Sequence, residues 1–166
     1  MRFIYAFLTI AFIFSAFPAG AEVDAPFDRL QWKGRAIVIT GPHDHEFFEP
    51  QLTALKQEVE GLKDRDIIVI TFHNRDIEVV EELSAFPFSI PGMYTGGRRN
   101  DGNRNYLESQ LKTDDDVFSV VLVGKDGETK KVWQSEEETP VSPFAIFELI
   151  DSMPMRQQEM RTKKQK

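Results

Sequence analysis

The chain predicts an α/β domain, a mixed sheet between two helical layers, on three observations. Two short runs, AIVIT at 36–40 and IIVITF at 67–72, are apolar without alternation, as strands are when helices cover both sheet faces. Between them, apolar residues recur at helical spacing, and strand, helix, strand with short joints makes a right-handed parallel unit. Further on, VFSVVLV and TKKVW flank GKDG, the composition of a hairpin turn.

The first 21 residues stand apart from that domain. MRFIYAFLTIAFIFSAFPAGA has a basic Arg2, apolar residues from Phe3 to Phe17, a helix-breaking Pro18 and the small triplet Ala19, Gly20, Ala21. This is the pattern of a cleaved secretory signal, with a mature start at Glu22. The apolar run is shorter than the ~20 residues that span a bilayer. The expected organisation is a signal over 1–21, one domain over 22–152 and a basic tail over 153–166.

Within the domain, LQWKGRAIVIT ends at Gly41 and Pro42, so the first strand is Ala36 to Thr40. Pro50 suits a first helical turn, and Leu52, Leu55, Val59 and Leu62 repeat on one helical face until Gly61 and the polar KDRD close the segment. Ile67 to Phe72 is the second strand. Asp76 to Phe86 carries Ile77, Val80 and Leu83 at a spacing that predicts another helix. Prolines and glycines then predict a long loop from Pro87 to Asn105, with a short helix from Asn103 to Leu111. Val117 to Val123 reads as a central strand and Thr129 to Trp133 as a more exposed outer one. Ser142 and Pro143 open a helix with Phe144, Phe147 and Ile150 inward, ending before Pro154, and MRQQEMRTKKQK is expected to fray.

That order matches a thioredoxin-like three-layer sandwich, a mixed four-stranded sheet with helices on both faces. WKGRAIVIT, VVLVGKDGETKKVW and ELIDSMPMRQQEM resemble the exported thioredoxin-like family catalogued as a domain of unknown function. Similar domains occur in animal extracellular-matrix proteins of the sushi-repeat and coiled-coil-domain type. The resemblance covers nearly all of the chain after the signal and implies the fold and an extracellular setting, but no activity. The loop with Gly96, Gly97, Arg98 and Arg99 is longer than the family's usual connection.

Composition excludes several functions. The chain has no cysteine, and thiol exchange needs a thiolate, so disulfide reduction and cysteine peroxidase chemistry are ruled out. The proline usual before the third strand of that fold is also missing, since Asp114, Asp115 and Asp116 lead into Val117. Lys and Arg number 20 against 27 Asp and Glu; without Arg2 of the signal the balance is 19 − 27 = −8. An acidic body with a basic tail argues against a nucleic-acid partner. Lys163, Lys164 and Lys166 offer only weak contact to anionic lipid, about 1 kcal/mol per basic residue near a charged surface. There is no G-x-S-x-G elbow and no phosphate loop.

Three places remain for function. His43 and His45 follow the first strand in GPHDHEFFEP, and His73 follows the second; parallel neighbours end at the same sheet edge, where α/β folds bind ligands. Three imidazoles there suit zinc or copper, against a plain reading in which Asp44, Glu46 and Glu49 favour a helix N-terminus. The triplets Asp114 to Asp116 and Glu136 to Glu138 face each other at the open end of the hairpin, as a calcium site or a solvated end. Met153, Met155 and Arg156 form either an adaptable partner surface or a turn folded onto the sheet. Trp32 and Trp133 read as packing residues. The expected function is a non-redox binding module of the cell envelope with an unknown protein partner and no cofactor. The alternative is a metal-dependent enzyme or metal carrier using His43, His45 and His73.

Overall fold

The computed structural model describes residues 27, 29–73, 76–87, 109, 111–113, 116–134 and 140–165. The expected signal, most of the loop from Pro87 to Asn105 and the acidic triplets other than Asp116 fall outside them, and of the helix expected at 103–111 only Ser109 and Leu111 are described, both helical.

The strands are β1 (Arg35–Thr40), β2 (Ile67–His73), β3 (Asp76–Val79), β4 (Ser119–Val123) and β5 (Thr129–Trp133). The helices are α1 (Phe48–Lys56), α2 (Val59–Asp64), α3 (Pro143–Ser152) and α4 (Pro154–Lys163), with a short 3₁₀ helix at Glu81–Leu83. The sheet order is β3-β2-β1-β4-β5. β1 and β2 run parallel, Ile37 beside Val69, and the other pairs are antiparallel.

Continuous apolar runs in β1, β2 and β4 have the cause expected of them. Ile37, Ile39, Val69, Val120 and Leu122 point to one face, where they meet Phe48 and Leu55 of α1, Leu62 of α2 and Ile146, Phe147 and Ile150 of α3. Their neighbours Val38, Ile68, Ile70, Phe72 and Val121 point to the other face and meet Phe27, Leu30 and Leu111. Each such aliphatic side chain, fully buried, contributes roughly 1.5–3 kcal/mol relative to exposure. Gln51, buried on α1, fastens that helix to the approach to α3: its Nε2 donates to the Val141 carbonyl at 3.0 Å and its Oε1 accepts from the Val141 N–H at 2.6 Å.

The sheet has five strands, not four, because the helix expected from Asp76 to Phe86 is an edge strand and a 3₁₀ turn. Ile77 and Val79 also alternate, and β2 offers an open edge. Pairing Phe72 with Ile77 and Ile70 with Val79 satisfies the ladder and buries Val79, which a helix at this place could not do. The turn is held by Ser84, whose Oγ accepts from the Val69 N–H at 3.2 Å and donates to the Val80 carbonyl at 2.9 Å.

Smaller differences follow the same logic. The first helix breaks at Gln57 and Glu58, and Gly61 of α2 then lies so near Phe147 that an added Cβ would be 2.5 Å from the ring. Phe144 is 61% exposed, because the inward stripe of α3 is Pro143, Ile146, Phe147 and Ile150. Trp133 is buried, but Trp32 is 63% exposed with φ +65°, its N–H tied to the Lys125 carbonyl at 2.6 Å in the turn that enters β1. The basic end does not fray: it is α4. No helix among the described residues is long and apolar enough to cross a membrane.

Candidate functional site

β1 stops at a glycine for steric reasons. Gly41 has φ +121°, and a Cβ there would lie 2.7 Å from the Cα of Phe118. That close approach brings the β1–α1 turn against the entry to β4, at the carboxyl end of the parallel pair. The turn then folds on itself, with the His45 N–H bonded to the Pro42 carbonyl and the Phe48 N–H to the His45 carbonyl, both at 3.0 Å.

The aromatic side chains of this turn meet those beside β4. His45 stacks on Phe118, with centroids 4.8 Å apart and planes 11° from parallel, and Phe47 closes on the pair at 5.5 Å from His45 and 6.1 Å from Phe118. The His45 Nδ1 accepts the Phe47 N–H at 3.3 Å, which puts the proton of a neutral ring on Nε2. His43, exposed, packs on Phe48 at 5.1 Å and lies 3.8 Å from Glu49, within ion-pair reach when protonated.

On the opposite face of the sheet, behind the cluster, is a buried hydroxyl network that sequence reasoning missed. Thr40 and Ser119 are cross-strand partners, and Thr113 lies between them, its Oγ1 3.3 Å from that of Thr40 and 2.8 Å from the Ser119 Oγ. Thr40 and Ser119 also donate to the Val117 carbonyl, and Gln134 donates to Thr113. The available signal was a single hydroxyl residue in each apolar run, Thr40 ending IVIT and Ser119 interrupting VFSVV. Such a network ties the end of β1 to the start of β4, the two strand ends that carry the turn and Phe118.

The three expected histidines do not assemble in what is described. His43 and His45 turn to different aromatic neighbours, and among the described residues no group of three His, Cys, Asp or Glu side chains is placed to hold a metal ion. His73 ends β2 opposite Asp76 in the ladder; its side chain is outside the described residues.

Met153, Met155 and Arg156 separate as well. Met155 is partly exposed and Met153 packs against the core, but Arg156 is only 2% exposed and is no contact surface. Its guanidinium pairs with Asp64 of α2 and, at 3.1 Å, with Asp151 of α3. Glu159, one turn on, meets Arg35 of β1 at 3.2 Å and Lys125 of the β4–β5 turn at 2.9 Å. Arg65 completes the cluster at 2.5 Å from Asp151. Lys163, one of the three lysines considered for weak lipid contact, is 3.0 Å from Asp64 and stays exposed. Burial alone would raise the Asp151 and Glu159 carboxyls, but hydrogen bonds from Arg65 and Arg156, and from Lys125 and Arg35, outweigh it and hold both below the usual carboxylate range. Asp64 is lowered as well, first by its bond from Lys163.

A domain folded this way, with imidazole and phenyl rings at the turn after β1, is a thioredoxin-like domain with no thiol in the chain. The chain belongs to the family described as "Domain of unknown function (DUF4174)", whose model matches residues 26–159. Coiled-coil domain-containing protein 80 of Danio rerio is 33% identical over 141 residues, which is 80% of this chain and 15% of that protein. The chain thus spans a small part of that relative's length. The reduced 2-Cys peroxiredoxin of Plasmodium vivax superposes with a TM-score of 0.50 at 15% identity, covering 78% of this chain and 83% of that one. At that identity the likeness is one of fold.

Proposed function

We propose that the protein is an exported, non-redox binding module that engages a protein partner of the cell envelope, in the periplasm or outside the cell, through the turn after β1. The observation that carries this reading is the stacked His45–Phe118 pair with Phe47, a partly exposed aromatic cluster at strand ends that a buried hydroxyl network ties together. Rigidly supported aromatic side chains lose little conformational freedom on contact, which is why they anchor interfaces. The signal-like first 21 residues support export. An extracellular-matrix setting, implied by the animal proteins the sequence resembles, supports adhesion as the kind of role.

Two measurements test it. The N-terminus of protein recovered from the periplasm or medium is expected to be Glu22; full-length protein retained in the cytoplasm would remove the export half of the proposal. A photo-crosslinking residue at His43 is expected to capture a discrete envelope protein, and the same group at Glu128, on the β4–β5 turn, is not. Equal capture from both positions, or none from His43, refutes binding at this site.

A further inference from the structure

Beside His43 a groove of about 490 Å³ opens between α1 and the turn that follows β3. Phe48 and Leu52 of α1 form one wall and Val80 the other, all three packing on the first core. Thr71 lies within it. Strand alternation puts Thr71 on the face of Ile67 and Val69, and Glu78, its cross-strand partner, stands on the same face.

Thr71 is the unexplained member. It is 4% exposed, and its hydroxyl has no hydrogen-bond partner among the described residues. Valine would fill the same space, favour the strand equally and leave nothing unsatisfied, so packing does not account for the hydroxyl. The rim is equally unbalanced. Glu78, Glu81 and Glu82 are exposed and belong to no ion pair among the described residues, whereas Asp64, Asp151 and Glu159 at the opposite end of the sheet are all paired. A mainly polar cleft with Phe48, Leu52 and Val80 in its walls, an unmatched hydroxyl inside and three carboxylates around it that have no ion-pair partner among the described residues has a definite complement: apolar side chain, hydrogen-bonding atom, positive charge.

We infer that the groove receives a basic segment of the partner, with an apolar side chain between Phe48, Leu52 and Val80, a polar atom on the Thr71 hydroxyl and Lys or Arg side chains among Glu78, Glu81 and Glu82. The inference rests on the binding reading above and specifies the partner's chemistry. Bringing basic residues to three carboxylates unpaired among the described residues also speeds encounter at low salt.

Fluorescence anisotropy on the full exported chain tests it, with a fluorescein-labelled octapeptide of alternating lysine and leucine as probe and glutamate–leucine and lysine–serine octapeptides as controls. The lysine–leucine peptide is expected to bind about tenfold more tightly than either control, and E81Q/E82Q to weaken it about tenfold while flattening its salt dependence. Thr71→Val is expected to weaken it several-fold and yet raise Tm, a combination that misfolding cannot produce. Binding unchanged in E81Q/E82Q, equal binding of the acidic control, or no saturable binding below about 1 mM overturns the inference. Crosslinking from His43 separates the two readings: adducts that persist in E81Q/E82Q leave the binding module standing and remove the basic segment.

Discussion

At Thr71 a hydroxyl occupies a position that valine would fill without loss, and the cost is measurable. Thr71→Val is expected to raise the unfolding free energy by about 1–2 kcal/mol in urea denaturation, because an unmatched buried hydroxyl is replaced by a methyl of the same shape. A loss of stability would show that the hydroxyl is bonded. Gly41 lies at the other extreme. Its φ of +121° and the 2.7 Å approach to Phe118 leave no room for a side chain, so Gly41→Ala is expected to cost about 2–4 kcal/mol, read in the same experiment. The glycine was legible as a strand stop in the sequence. The state of Thr71 was not, because a β-branched residue in an apolar run looks the same whether or not its hydroxyl finds a partner.

Among the elements, α4 shows how charge replaces apolar burial. Its sequence PMRQQEMRTK is mostly polar, yet Arg156 and Glu159 enter a cluster with Arg35, Lys125, Asp64 and Asp151 that closes the end of the sheet opposite the candidate site. Glu159→Gln leaves Arg35, 1% exposed, without its carboxylate; about 1–3 kcal/mol of stability is expected to go, less than for a fully enclosed pair because Glu159 keeps some contact with water. Acid acts on the same bonds. Asp64, Asp151 and Glu159 have carboxyls lowered by folding, so their contribution is complete above the usual carboxylate range and disappears as pH falls through the lowered values. Urea denaturation between pH 6 and pH about 3 is expected to show the wild type losing stability more steeply than Glu159→Gln. Parallel slopes would mean Glu159 takes no part. A run of charged residues at a chain end reads as a frayed tail, and only its distant partners reveal a docked helix. β3 was misread for a related reason: Ile77, Val80 and Leu83 fit a helical face, but the open edge of β2 selected the alternation of Ile77 and Val79 instead.

For the whole molecule the decisive fact is the absence of any cysteine. With no cysteine, Tm is expected to be the same with and without dithiothreitol, and the protein is expected to give no turnover in an insulin-reduction assay. Turnover in a sample free of other proteins would overturn the non-redox reading. Composition, four of the five strands with the hairpin that joins two of them, and the α/β class were determined by the sequence alone, because each depends on the type and spacing of residues close in the chain. The tertiary structure decided what lies between distant residues. Arg35 and Glu159 are 124 positions apart, Gln51 and Val141 are 90, and the Thr71 groove is formed by β2, α1 and the turn after β3. Periodicity identifies which face of an element is apolar; which charge or hydroxyl meets that face is set only when the layers close, since burial and pairing are properties of neighbours in space.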